Sequence, residues 1–247
     1  MRTLKLTLAY DGTAFAGWQI QLNRRTVQQT LKEALTKITG APVSINASGR
    51  TDAGVHALGQ VASFDTTSRL DANTLRRALE AELPDDIVVL AVEEAAAGFH
   101  ARRHAVRKRY RYVIHDGPRS DVFRRSYVWR VYRRLDDAAM LRAAQPLIGQ
   151  HDFAAFQSRG SQRSSSVRTI FELTIDRPAI VPDEIHIEIA ADGFLYNMVR
   201  NIVGTLVEIG RGAGEESWPA RALAAADRRA AGPPAPPQGL TLVSVDY

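Results

Sequence analysis

A carboxylate kept ionised by a nearby cation can act as a nucleophile or a base, and one stretch of this chain places such a pair two residues apart. In Gly49-Arg50-Thr51-Asp52-Ala53-Gly54-Val55-His56-Ala57, Arg50 carries a permanent charge suited to a phosphate or a carboxylate. Asp52 stands between Gly49 and Gly54, and glycine permits backbone turns and close approaches that a side chain forbids. An Asp followed by a small residue and Gly is also ordinary turn chemistry, in which the carboxylate caps its own backbone. Spacing alone leaves both readings open.

The flanking residues predict that Asp52 lies on a loop. Before it, Val43 and Ile45 alternate with Ser44 and Asn46; after it, Gln60-Val61-Ala62-Ser63-Phe64 is a short apolar run, so both flanks have strand character. Upstream, Leu4, Leu6, Leu8 and Tyr10 share one face of an opening strand that Asp11-Gly12 turns. Residues 26–38 predict a helix, with Thr26 and Gln29 as a capping box, Gly40 as the stop, and Val27, Leu31, Leu35 and Ile38 facing the core. Arg24 and Arg25 before it are equally candidates for a phosphate contact or for plain exposure. Asp71 caps a second helix through Leu79 that ends before Pro84. Residues 87–92, Ile-Val-Val-Leu-Ala-Val, are expected to form a central strand, and residues 95–107, with Phe99, His100 and His104, a long loop.

In residues 108–114, Tyr110, Tyr112 and Ile114 point one way, while Arg109, Arg111 and Val113 point the other. A tyrosine beside a reactive carboxylate can stack on a base or supply a phenol, and it can equally be core, the reading weighted more heavily for Tyr112. A strand over residues 127–131 precedes a helix opened by Asp136, with Met140, Leu141, Ala144 and Leu147 inward and Pro146 kinking it or ending it early. Residues 156–167 have loop composition, suited to facing RNA or to a plain surface connection. Residues 167–175 and 185–189 predict a strand pair, followed by an Asp192-Gly193 turn. A helix over residues 195–209 carries the apolar stripe Met198, Val199, Ile202, Val203 and Leu206. Arg200 adjoins that stripe and needs an acid or a phosphate if it is buried. Four prolines between Gly232 and Gly239 stiffen the approach to a last strand over residues 240–245. Strands and helices in irregular order predict an α+β fold with mostly antiparallel sheets and helices packed on them.

At 247 residues, 45% hydrophobic and 24% charged, the chain has the composition of a soluble globular protein of one large or two small domains. No apolar run reaches the length of a membrane span, and the alternating N-terminus suits a strand, not a signal peptide. The absence of cysteine excludes disulfides, thiolate metal sites and cysteine nucleophiles, and is compatible with the cytoplasm. Net charge is +5, unevenly spread. Residues 101–135 hold 12 Arg or Lys against 2 Asp, a local +10 that leaves −5 for the rest. Interleaved with Tyr110, Tyr112, Tyr127, Trp129 and Tyr132, that block favours RNA as a partner over a merely solvated face.

Gly49-Arg50-Thr51-Asp52-Ala53-Gly54-Val55-His56 resembles the signature of the tRNA pseudouridine synthase A family. Further landmarks follow in the family's order: Tyr10-Asp11-Gly12-Thr13, Phe15, Gly17-Trp18-Gln19, Thr26-Val27-Gln28, Lys108-Arg109-Tyr110-Arg111-Tyr112, His151-Asp152-Phe153 and Asn197-Met198-Val199-Arg200-Asn201. The resemblance implies Asp52 as the catalytic nucleophile, Arg200 as its ionic partner, and Tyr110 as the tyrosine against the substrate. Arg50 becomes a candidate for holding a flipped nucleotide or its phosphate. Two similar halves, residues 1–105 and 106–247, are expected around one active-site cleft. The implied substrate is the tRNA anticodon stem-loop at uridines 38 to 40, the implied assembly a cytoplasmic homodimer. The reaction is an isomerisation that neither oxidises nor condenses, so no cofactor or metal is expected.

The lone H-x-E, His186-Ile187-Glu188, lacks downstream cysteines and does not fit a zinc deaminase. A catalytically silent binder of structured RNA is the main alternative, since it would keep the basic strands without needing Asp52 or Arg200. A glycoside hydrolase ranks below that, for want of a second carboxylate that a motif recommends. Pro146 inside a helix and an end soon after Val245-Asp246-Tyr247, without the longer tail of some relatives, are the departures from the family pattern.

Overall fold

A computed structural model describes residues 1–158, 160 and 165–247, so part of the serine-rich stretch expected as a loop, residues 159 and 161–164, lies outside the described residues. In chain order the main elements begin with β1 (Arg2–Tyr10), α1 (Val27–Thr39), β2 (Asn46–Ala47), β3 (His56–Thr66), α2 (Ala72–Glu82) and β4 (Ile87–Ala95). They continue with β5 (Arg107–His115), β6 (Trp129–Arg130), α3 (Asp137–Ala144), β7 (Gly149–Asp152), β8 (Val167–Asp176), β9 (Glu184–Ala191), α4 (Met198–Gly210), α5 (Trp218–Ala225) and β10 (Leu240–Asp246). The architecture is α+β and its strand pairings are mostly antiparallel. Contacts divide the chain into two compact units, Met1–Val106 with Thr241–Tyr247, and Arg107–Leu240.

In the first unit the sheet order is β4-β1-β3-β10, with β2 paired to β3. β1 runs antiparallel to β3 and to β4, while β10 meets the start of β3 in parallel. Alternation in β1 buries Leu4, Leu6, Leu8 and Tyr10, as its sequence requires. Leu31 and Leu35 of α1 and Leu75 and Leu79 of α2 are fully buried too, each such side chain contributing about 1.5–3 kcal/mol. Thr26 accepts the Gln29 N–H, but the Gln29 side chain turns to Glu33, so only half of the expected capping box forms. Gly40 ends the helix at φ 73°, and Ile38 is only partly covered. Asp71 caps α2 by accepting the Thr74 N–H.

Two expectations fail in this unit. The apolar run 87–92 is not central: β4 is an edge strand, with Val88 and Leu90 44% and 51% exposed. Its other face lies against α2, so a run that reads as buried on both sides is buried on one. Upstream of Asp52, only Asn46–Ala47 pairs as strand, although Val43 and Ile45 are buried.

The second unit holds the order β5-β9-β8-β7, antiparallel throughout, with the two-residue β6 parallel to β5. β6 is shorter than the strand expected over residues 127–131. One sheet face is apolar: Tyr112, Ile114, Ile185, Ile187 and Ile189 are fully buried, as are Met140, Ile202 and Leu206 of the packed helices. Pro146 stops α3 at Ala144 and leaves one 3₁₀ turn, while Leu141 points outward.

The opposite face is an ion-pair lattice. Arg109 bonds Glu172 at 2.7 Å and Glu188 at 2.9 Å, Arg111 bonds Glu188 at 2.6 Å, and Arg107 bonds Glu172 at 2.8 Å. Hydrogen bonding to Arg109 holds the Glu172 carboxyl below its usual range. Burial pushes Glu188 up, and bonds from Arg111 and Arg109 outweigh it and bring it below the usual range. The basic block counted along the chain is thus partly offset on β5, where one acid from β8 and one from β9 pair with Arg107, Arg109 and Arg111. Its exposed cations are Arg102, Arg103, Arg119, Arg125, Arg133 and Arg134, outside regular secondary structure.

Candidate active site

Residues 48–55 cross from β2 to β3 outside regular secondary structure and carry Arg50 and Asp52. Burial varies along them: Arg50 is exposed, Thr51 is buried, Asp52 is half-buried and Ala53 is exposed. The backbone is held from both sides. Ser48 N–H donates to Val61 O at 2.8 Å and Trp18 N–H to Thr51 O at 3.0 Å, while Val55 N–H closes a turn on Asp52 O at 3.1 Å. Gly54 takes the left-handed region at φ 77°, so this glycine carries the turn that the sequence assigned to the pair.

The segment after β1 clamps the turn. A Cβ on Gly12 would stand 2.1 Å from Val55 O, and one on Gly17, itself at φ 94°, 2.7 Å from Thr51 O. Two backbones lie closer here than any side chain allows. His56, 5% exposed, accepts the Gly12 N–H at Nδ1 over 3.0 Å, with an Asp11 oxygen 3.2 Å from the same nitrogen. Gly12→Ala is therefore expected to destabilise the first unit by ~1–3 kcal/mol through backbone displacement. A shift of the urea midpoint at unchanged slope measures it; an unshifted midpoint would mean that residues 12 and 55 can separate freely.

Beneath the turn lies a buried polar network that sequence reading missed. Tyr10 Oη and Thr51 Oγ1 are 2.8 Å apart, Gln60 Nε2 donates to Gly49 O at 3.0 Å, and Gln60 Oε1 accepts from Ser48 Oγ at 2.7 Å. A glutamine inside an otherwise apolar strand run was the available signal, because a buried amide must be satisfied. Arg25, left open between phosphate and exposure, makes a two-bond fork to Asp86 at 2.6 and 2.8 Å and lies 4.1 Å over the Phe15 ring.

Tyr110 and Arg200 belong to the second unit. Tyr110 is 8% exposed and meets Phe194 edge-on at 5.0 Å. Two residues on, Tyr112 is fully buried and its hydroxyl donates to Pro236 O at 2.7 Å, which makes it a core tyrosine. Burial pushes the Tyr112 phenol far up, against a weaker pull from Arg200. Arg200, on the first turn of α4, donates from Nε to Ala235 O at 2.7 Å and from Nη1 to Asn197 Oδ1 at 2.9 Å. Ala235 N–H returns a bond to Arg200 O, so the proline-rich segment is tied to the helix at this residue. Asn197 takes φ 60° and donates to Ser158 Oγ at 3.0 Å, while Asn201 donates to Phe156 O at 2.7 Å. Among the described residues no helix is long and apolar enough to cross a membrane.

Known proteins resemble this chain along its whole length. A family model described as tRNA pseudouridine synthase matches residues 7–102 and 143–247. The tRNA pseudouridine synthase A of Thermoanaerobacter sp. (strain X514) is 46% identical over 247 residues, covering 100% of both chains. That of Brevibacillus brevis is also 46% identical with full coverage of both, and that of Myxococcus xanthus is 43% identical, covering 100% of this chain and 92% of its own. The solved structure of an H/ACA RNP bound to a substrate RNA containing 2'-deoxyuridine aligns with 84% of this chain and 44% of its own at 11% identity and a TM-score of 0.39, too distant a likeness to bear on the fold. The chain belongs to the tRNA pseudouridine synthase family, isomerases that convert uridine to pseudouridine.

Proposed function

We propose that this chain isomerises uridines at positions 38 to 40 of the tRNA anticodon stem-loop, with Asp52 as the nucleophile. The observation that carries this reading is the turn itself: a half-buried carboxylate beside an exposed guanidinium, on a backbone clamped by Trp18, Gly12 and Gly17. Residues 1–105 and 106–247 act as two similar halves around one cleft, Asp52 coming from the first, Tyr110 and Arg200 from the second. Arg200 pairs with Asp52, keeping it ionised and aimed. Tyr110 lies against the uracil, and Arg50 holds the flipped nucleotide or its phosphate. The glycosidic N1–C1′ bond breaks, the uracil turns, and a C5–C1′ bond forms. The C5 hydrogen leaves as a proton and N1 gains one, so no electrons are exchanged with another molecule. The enzyme works as a cytoplasmic homodimer, with one tRNA lying across both subunits.

The test is tritium release from unmodified tRNA labelled at uracil C5. Release is expected from a transcript with uridine at 38, 39 or 40, and none when cytidine replaces all three. Release that persists after the replacement moves the target elsewhere. Binding without release from any tRNA would leave a silent RNA binder.

A further inference from the structure

We propose that Tyr10, Thr51 and Gln60 form a positioning unit that aims Asp52, with the Tyr10–Thr51 hydrogen bond as its working contact; this rests on Asp52 being the nucleophile. The polarity of the network follows from the main chain. Gln60 is fully buried, and Val61 N–H, which can only donate, lies 3.1 Å from its Oε1. Gly49 O, which can only accept, lies 3.0 Å from its Nε2. The amide therefore cannot be flipped. Its Nε2 also faces Tyr10 Oη at 3.4 Å, a long contact in which nitrogen is the donor.

With its oxygen facing a donor on the Gln60 side, Tyr10 gives its own proton to Thr51 Oγ1, 2.8 Å away. Burial pushes the Tyr10 phenol up to about 12, so it keeps that proton at working pH. Thr51 is then held twice, by its side chain to Tyr10 and by its carbonyl to Trp18 N–H at 3.0 Å. With residue 51 pinned at both ends, the direction in which residue 52 leaves the backbone is set, and Asp52 is half-buried where Thr51 is buried. An apolar pair of similar volume at positions 10 and 51 would fill the same space at comparable stability, because a satisfied buried hydrogen bond contributes little net, whereas Gln60 also satisfies Gly49 O and Val61 N–H. What an apolar pair lacks is a fixed rotamer under the turn.

Single-turnover rates on unmodified tRNA test this, measured well below the melting temperature of each variant, with tRNA affinity determined separately. Tyr10→Phe and Thr51→Val are each expected to slow turnover ~10–100-fold while affinity stays within about twofold, as for a misaimed reacting group. The double variant should be no slower than the worse single one, since both remove the same contact. Thr51→Ser, which restores the hydroxyl, should recover most of the rate. Tyr10→Phe at wild-type speed, a double variant whose losses multiply, no recovery with Ser, or a loss carried by affinity overturns the proposal. Asp52→Asn in the same assay separates the two ideas. An inactive Asp52→Asn beside an unaffected Tyr10→Phe sinks the positioning unit alone. An active Asp52→Asn sinks the nucleophile and, with it, the proposal.

Discussion

Asp52→Ala is expected to abolish release of the uracil C5 hydrogen from tRNA while leaving tRNA affinity close to that of the unaltered protein. Making the C5–C1′ bond expels that hydrogen, so release reports the rearrangement and not an earlier step. Removing a nucleophile takes away the covalent route altogether, and a loss of at least about 10³-fold in turnover is the scale to expect. The backbone of the turn should survive. Val55 N–H bonds the Asp52 carbonyl, Trp18 N–H bonds the Thr51 carbonyl, and Gly12 packs on Val55, none of which needs the carboxylate. Affinity should survive as well, since phosphate contacts dominate RNA binding and come from cations. Asp52→Asn sharpens the test by keeping shape and hydrogen bonding while removing the charge. Turnover by either variant near the wild-type rate would mean that another group attacks.

The parts of the molecule that were legible in its sequence are those encoded by neighbours. β1 follows from alternation of Leu4, Leu6 and Leu8, α1 from Thr26 and Gly40, and the early end of α3 from Pro146. The motif around Asp52 was legible because its residues are contiguous, and the family it resembles is the family to which the chain belongs. Long-range information was not legible. The apolar run of β4 says that it is buried somewhere, yet only the sheet order decides that Val88 and Leu90 face outward at an edge. The charge block promised a strongly basic face, but Glu172 and Glu188, 63 and 79 residues beyond Arg109, pair across the strands with its β5 arginines and offset part of it. The same limit hid the support of the Asp52 turn, since Tyr10 stands 41 residues before Thr51.

The largest stability effect is expected away from the chemistry, at Asp116. Its side chain is fully buried, and Arg177 grips it with bonds of 2.8 and 2.9 Å, while Leu135 N–H adds a third at 2.9 Å. Burial alone pushes this carboxyl up; bonds from Arg177 and Leu135 N–H, with the charges of Arg177 and Arg134, outweigh it and bring it below the ordinary range. Arg177 also reaches Asp137 at 3.1 Å, so one guanidinium joins the end of β8, the start of α3 and the residue after β5. Arg177→Met leaves that buried charge with only Leu135 N–H and the more exposed Arg134. Breaking a buried pair from one side costs about 3–5 kcal/mol, and the partners that remain place this case near the lower end. A lowered folded-state pKa means that the contribution is present above the unfolded value of about 3.9 and is lost as pH falls through the folded one. The gap between wild type and Arg177→Met should therefore be widest at neutral pH and narrow below about pH 4. Urea unfolding followed by tryptophan fluorescence at both pH values measures it. Arg142→Met is the comparison: that side chain forks onto Glu216 but is well exposed, so no measurable change is expected. Equal destabilisation by the two variants, or a gap that widens in acid, would show that burial of Asp116 is not what gives Arg177 its weight.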